Sequence, residues 1–268
     1  MHPNLFFFTY SFLGWVCECI YCSIPAKKFI NRGFLAGPYC PIYGCGALLV
    51  LYLLKPFLYQ PLLLFIMGMI VTSFLEYFTS WIMELLFHTK WWDYTNYRFN
   101  IHGRVCLRNS FLFGIMSLVV CYIVHPSIIH IANMIPDFIK WITNGLMMII
   151  FAYDFAHTTM ALLRKNKDFA IMEASIKELH HDFKTATIFP LEEPLSVSVQ
   201  RILDATDADE NLIASLENMH NKLSVTYKKA HPTWSRLQKA FPNQSLNMHH
   251  KDIEDFFLLI HNRLHNKK

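Results

Sequence analysis

Apolar residues fall in long blocks up to about residue 163 and at helical intervals beyond it. The blocks are Leu5 to Ile24, Tyr39 to Leu54, Leu62 to Phe87, Phe111 to Ile131 and Phe138 to Leu163. A bilayer core of about 30 Å needs roughly 20 apolar residues in a helix. The second block is short and carries Pro41, Gly44 and Gly46, and the fourth contains Pro126. The pattern predicts an all-α, multi-pass membrane protein whose residues 1–163 form a transmembrane domain of five transmembrane helices. After residue 164 the blocks stop. Apolar residues at 169, 172, 176, 179, 183, 186 and 189 follow the period of an amphipathic helix, which Pro190 and Pro194 end. A second stripe from Leu195 to Tyr227 is interrupted by the acidic stretch Asp204 to Glu210. A short helix is expected from Pro232 to before Pro242, and a last one from Lys251 to Leu264. Residues 164–268 are therefore expected to form a helical cytoplasmic domain.

Charge sharpens this division. Only 16% of the chain is charged, against about 25% in a typical soluble protein. Residues 1–163 hold 6 of the 20 acids and 9 of the 24 Lys and Arg. The net charge of +4, with both signs mixed in the tail, does not point to nucleic acid. Lys27, Lys28, Arg32, Lys90, Arg98, Arg104, Arg108, Arg164, Lys165 and Lys167 fall on one side of a five-span arrangement; only Lys55 and Lys140 fall on the other. The positive-inside rule then sets the N-terminus outside and the tail on the cytoplasmic side of the membrane. The first block, with Glu18 and no basic leader, does not read as a cleaved signal peptide. Trp91, Trp92, Tyr94 and Tyr97 resemble an interfacial aromatic belt at the inner leaflet.

Metal and cofactor chemistry find no footing. Cys17, Cys19 and Cys22 point in different directions on a helix, and no partner pair follows at metal-site spacing. Cysteines in apolar helices serve as small apolar side chains. Eight histidines lie in the tail, including His180-His181, His249-His250 and the i, i+4 pair His261 and His265, without a HExxH or a cysteine. No metal ligand set and no cofactor are assigned. A phosphate-cradling GxxxxGK[ST] and a GxSxG nucleophile elbow are both missing, so neither ATP hydrolysis nor serine hydrolysis has support in this chain.

Ionisable groups inside spans are expensive and turn toward protein or water. They are Glu18, Glu76, Glu84 and Asp154, with His157 beside the last. At 1.5 Å per residue, Glu18 and Glu76 lie roughly 20 Å from the outer end and Asp154 roughly 24 Å, all in the cytoplasmic half. Arg32, Arg98, Arg104 and Arg108 approach that half from the loops. Ser11, Gly14, Trp15, Glu18 and Cys22 share one helical face, as do Glu76, Ser80 and Glu84. Two readings stay open. The acids and arginines are ion pairs that fix loops onto the bundle, or they form a site that binds a charged solute or moves a proton. The candidate polar site is Glu18, Arg32, Glu76, Glu84, Arg104 and Asp154.

The two basic loops add a second signal. Asn31 to Gly44 contains Gly33, Gly37, Pro38, Pro41 and Gly44, which break helix where irregular backbone needs protein or a cavity around it. Trp91 to Ser110 is aromatic, basic and amphipathic, and reads equally as a re-entrant segment or an interfacial anchor. The pieces Tyr10-Ser11-Phe12-Leu13-Gly14-Trp15 with Glu18, Asn31-Arg32-Gly33-Phe34-Leu35, Gly37-Pro38 and Pro41-Ile42-Tyr43-Gly44 come first. Glu76-Tyr77, Thr79-Ser80, Met83-Glu84, Trp91-Trp92-Asp93-Tyr94, Phe99-Asn100, Gly103-Arg104, Leu107, Ser110 and Phe113-Gly114 follow. Over roughly residues 5–135 they resemble a bacterial membrane family, the putative ABC-transporter type IV proteins or ABC transporter permeases. The resemblance implies transport driven by a separate ATPase subunit. It marks Asn31, Gly33, Gly37, Pro38, Pro41, Tyr43, Gly44, Asp93, Tyr94, Asn100 and Gly103 as family-motif loop positions.

The leading expectation is a transporter or permease subunit with a polar site on the cytoplasmic side. Its partners would be membrane lipid and, through the tail, an ATPase subunit or another protein. The alternatives are an intramembrane enzyme acting on a lipid-linked substrate, with Glu18, Glu76 or Asp154 as acid or base, and a non-catalytic scaffold or sensor.

Overall fold

The computed structural model describes residues 3–184, 233, 236–241 and 245–246. The expected helices over 195–227 and 251–264, His249-His250, His261 and His265 lie outside the described residues, as do the side chains of His180 and His181. Six α-helices account for most of the described chain: α1 (Pro3–Ala26), α2 (Pro41–Leu53), α3 (Pro61–Phe87), α4 (Leu107–Val119), α5 (His125–Met134) and α6 (Asp137–Lys184). The chain divides into two compact units. The first comprises Met1–Leu85, Lys90–Thr159 and Arg236–Ser245; the second comprises Leu86–Thr89, Met160–Ser235 and Leu246–Lys268. In the second unit, α6 continues through the buried Leu162 and Lys165 to Lys184.

Four helices are long and apolar enough to cross a membrane: Pro3–Ala26, Pro61–Phe87, Leu107–Met134 and Asp137–Lys165. The second expected span is different. Only Pro41–Leu53 is helical there, 13 residues or about 20 Å, too short to cross alone. Pro41 explains its start, since proline suits the first turn of a helix, where its missing N–H leaves no bond unmade. The fourth span is a composite. A π-turn at Val120–Val124 joins α4 to α5 immediately before Pro126, so a local widening accommodates a residue that cannot donate to the helix ladder.

These helices turn large apolar side chains outward and bury several polar ones among an apolar core. On α3, Leu62, Ile66, Ile70, Phe74, Phe78, Trp81 and Leu85 form one exposed stripe at i+3 and i+4 steps. Glu76 and Ser80 on the same helix are buried. On α6 the exposed set includes Ile142, Leu146, Ile149 and Tyr153, while Asn144, Asp154 and Thr158 are buried. Without a hydrophobic drive between helices in lipid, close packing of small residues holds them together. Gly14 on α1 lies under the ring of Tyr43, and Gly44 on α2 lies against Phe7 and Ser11, so neither position has room for a Cβ. Between α3 and α4, Ser73 donates to Ser110 at 2.7 Å, and Gly68 faces Ser117. Tyr10 on α1 meets Nδ1 of His125 at 2.8 Å, at the start of α5.

The connection from α1 to α2 is not an outside loop. It retraces α1. Ile30 N–H donates to Ser23 Oγ, Arg32 N–H to Cys19 Sγ, Trp15 Nε1 to Asn31 Oδ1, and Cys40 N–H to the Ser11 carbonyl. The partners on α1 run from Ser23 back to Ser11, a climb of about 18 Å. α2 continues in the same direction, antiparallel to α1.

The Trp91–Ser110 region also folds inward. Asn100–Ile101 pairs antiparallel with Val105–Cys106. The turn between them puts His102 and Gly103 at positive φ, and a Cβ on Gly103 would also meet Asp93 and Thr95. Trp91 corrects the aromatic-belt expectation. It is 2% exposed and packs edge-on against Phe34 and Phe241, with ring centroids 5.2 and 5.4 Å away. It anchors a loop instead of facing the interface, because two aromatic rings cover it.

Candidate functional site

Three polar groupings occupy the first unit. The first is built on α1. Glu18, half-buried, lies 3.5 Å from Nε of Arg32 and accepts a short hydrogen bond from the Tyr43 hydroxyl. Arg32 also donates to the Ala240 carbonyl and stacks over the Phe241 ring at 4.6 Å. Asn31 prepares this arrangement. Its Oδ1 accepts from both Trp15 Nε1 and Gly33 N–H, which pins the chain on either side of Arg32.

The second grouping is built on α3. Glu76 is 6% exposed; its Oε1 accepts from the Tyr94 hydroxyl at 3.2 Å, and that hydroxyl accepts from Asn109 Nδ2 at 2.6 Å. Oε2 of Glu76 has no hydrogen-bond partner among the described residues. Glu18 faces both Glu76 and Tyr94 electrostatically. Burial, and then the Glu76 charge, push the Tyr94 phenol above its usual range, so it stays a hydrogen-bond donor. Two turns further along α3, Glu84 pairs with Arg104 Nη2 at 2.6 Å, and Arg104 also lies over the Tyr77 ring.

The third grouping surrounds Asp154. Its oxygens accept from Ala36 N–H at 3.1 Å, Gly37 N–H at 2.8 Å, the Tyr39 hydroxyl at 2.6 Å and the Thr158 hydroxyl at 3.1 Å, and it faces Arg236 electrostatically with no salt bridge to an arginine among the described residues. Four donors to one charged carboxylate stabilise it, since hydrogen bonds to an ionised acceptor are stronger than those between neutral groups. Here Asp154 holds the retracing segment to α6. Gly37 is required at this point, because a Cβ would collide with the Tyr39 ring. Pro38 follows the two amides that Asp154 holds, and Pro41 opens α2.

The remaining motif residues shape loops. Asp93 Oδ1 accepts from both the amide and the hydroxyl of Thr95. Burial raises the Asp93 carboxyl, but those hydrogen bonds and Lys90 outweigh it and hold the group below its ordinary value. Asn100 accepts from Gly103 N–H and donates to the Thr95 and Tyr97 carbonyls. Asp93, Asn100 and Gly103 thus form the scaffold that presents Tyr94 and Arg104.

Sequence reasoning missed Tyr39, Asn109, Thr158 and Arg236 as members of the site. Arg236 Nη1 donates to the Gly33 and Leu35 carbonyls at 2.9 and 3.0 Å, and its Nη2 donates to Phe34 at 2.7 Å. Leu237, Ala240 and Phe241 beside it are buried. Burial lowers the Arg236 guanidinium from its usual range, against the pull of Asp154. The signal was a lone arginine in the run Trp234 to Phe241, whose Leu237, Ala240 and Phe241 have helical spacing. Among the described residues, no group of three or more His, Cys, Asp or Glu is placed to hold a metal ion.

Long apolar helices with exposed apolar stripes and buried polar faces define a helical membrane protein. Within that class the chain belongs to the family described as Putative ABC-transporter type IV, which matches residues 5–159. The match reaches beyond the motif loops to include Asp154 and Thr158 on α6. No curated protein and no solved structure matches the chain.

Proposed function

We propose that this protein is a permease-type transport subunit of a bacterial inner membrane, with its polar site on the cytoplasmic side. The N-terminus is outside, and residues 164–268 form a cytoplasmic helical domain. In this reading the chain crosses five times. The second crossing is discontinuous: residues 27–40 enter as irregular backbone beside α1, and α2 completes the passage. Non-helical backbone at membrane depth is tolerated where protein or an aqueous cavity surrounds it, and transporters build solute sites at such breaks. The observation that carries the reading is the set of ionisable side chains gathered at this break, with Glu18, Arg32 and Tyr43 on one side and Glu76 and Tyr94 on the other. The family supports transport, and an ATPase acting on the tail would be a separate subunit, since this chain has no phosphate-binding loop.

The test is uptake. Inverted membrane vesicles containing the chain and its co-expressed partners are offered a panel of labelled organic anions, organic cations and amino acids, with and without ATP. Accumulation of at least one charged solute is expected with wild-type protein and not with Glu18→Gln. Uptake across the whole panel equal to that of vesicles lacking the chain would overturn the proposal.

A further inference from the structure

Charge bookkeeping among the described side chains leaves one acid apart. Arg32 pairs with Glu18 and Arg104 with Glu84, while Asp154 is held by four hydrogen-bond donors. Glu76 has no salt-bridge partner among the described residues, and it is more than nine-tenths buried. Tyr94 donates to Oε1, the Asn109 amide also faces the carboxylate, and Oε2 makes no hydrogen bond among the described residues. Asn109 fixes the direction of that bond: it donates to the Tyr94 oxygen, which leaves the Tyr94 hydrogen free to point at Glu76. The groups facing Glu76 add no positive charge. Glu18 on α1 is an acid, and Tyr94 carries its own field from Glu18 and Cys106. Tyr43 on α2, between these elements, is also a neutral phenol next to Glu18.

A buried carboxylate that meets only the Tyr94 hydroxyl and the Asn109 amide among the described residues, with no cation beside it, is less favourable than the neutral acid in the same place. We infer that Glu76 is a proton-exchange site, whose Oε2 binds a proton while buried as described and releases it when water or a cationic solute reaches that oxygen. Binding forms one O–H bond from a carboxylate lone pair and a proton; release breaks it and returns the pair to oxygen, so no further reactant is needed. The inference rests on the transport reading only in naming what the site handles. A proton bound at Glu76 would couple solute movement to pH, and would equally serve a chain that moves nothing else.

The experiment uses the full-length chain in native membranes. Dicyclohexylcarbodiimide, an apolar reagent, adds to protonated carboxyls in apolar surroundings. Peptide mass spectrometry should find the adduct on Glu76 near neutral pH, falling away as pH rises. Glu18→Gln and Glu84→Gln should keep it, and Glu76→Gln should abolish it. Infrared spectra of the purified protein should show a protonated-carboxyl band that Glu76→Gln removes. Because Gln imitates the shape of the neutral acid, this variant should melt close to wild type. No adduct on Glu76 at any pH, together with no carboxyl band lost in Glu76→Gln, would overturn the inference. An adduct without solute uptake would retire the transport reading and keep the proton site. Uptake without an adduct or a band would do the opposite.

Discussion

At the scale of single residues, buried charge is satisfied here in two different ways. Glu18 and Glu84 meet guanidinium groups, whereas Asp154 meets two backbone amides and two hydroxyls. The difference makes a prediction. Asp154→Ala strands the Ala36 and Gly37 amides and the Tyr39 hydroxyl in a buried place, at about 1–3 kcal/mol for each donor left unmet. Tyr39→Phe removes a single donor and leaves the carboxylate three others, for about 1 kcal/mol. Melting of detergent-purified protein should therefore fall much further for Asp154→Ala than for Tyr39→Phe; equal losses would show that the amides of Ala36 and Gly37 find other acceptors. Glu18, Arg32, Glu84 and Arg104 are legible in the sequence as charges out of place among apolar residues. The partners of Asp154 are not, because a backbone amide has no letter of its own. Arg236 is not either, since nothing in a chain's order says that a residue 203 positions away will cap the Gly33 carbonyl.

At the scale of elements, length and apolar content mark the long helices well, because a bilayer imposes a thickness on them. α3 begins one residue before the apolar block that predicts it and ends with it. The same rule fails for the second block, where only 13 residues are helical, too few to cross alone, and the residues before them are irregular. Pro41 and the glycines announce the break, but its climb along α1 depends on hydrogen bonds that only three-dimensional packing reveals. The α1–α2 contact gives the second prediction. Gly14→Val puts a branched side chain into the space of the Tyr43 ring, and such overpacking costs about 1–3 kcal/mol. Gly145→Ala on α6 is the control: nothing lies within 4 Å of its added Cβ. It should leave the melting temperature unchanged or raise it slightly, as alanine is the better helix former. Equal behaviour of the two variants would mean that α1 and α2 do not pack through Gly14.

At the scale of the whole molecule, the predictions concern sidedness and the tail. Ten bases against two predict that a cysteine introduced near residue 200 is inaccessible to an impermeant maleimide in intact cells; labelling there would reverse the proposed orientation. Two truncations then separate the helices from the residues that cover them. Ending the chain after residue 246 keeps Arg236 to Phe241, and ending it after residue 235 removes them. Both products should reach the membrane, because helices satisfy their own backbone hydrogen bonds. Only the shorter one should show faster reaction of Cys19, which lies under the backbone of Arg32, with a permeant maleimide. Equal rates would show that residues 236–241 do not shield this part of the bundle. Nothing in the sequence assigns those residues to the first unit, since their amphipathic spacing fits a separate tail domain equally well.

The retracing segment also sets an order of assembly during synthesis. Its bonds to α1 span 7 residues (Ile30 to Ser23) to 29 residues (Cys40 to Ser11), so they are available once the segment itself has been made. Its bonds to Asp154 span 115 to 118 residues. At roughly 5–20 residues per second, a ribosome needs about 5–20 s to travel from the end of α2 to α6. Through that interval the nascent hairpin holds its irregular limb by α1 alone, with two amides still waiting for an acceptor. A segment made early is thus fastened late, first by α6 through Asp154 and then by Arg236 at the Gly33, Phe34 and Leu35 carbonyls.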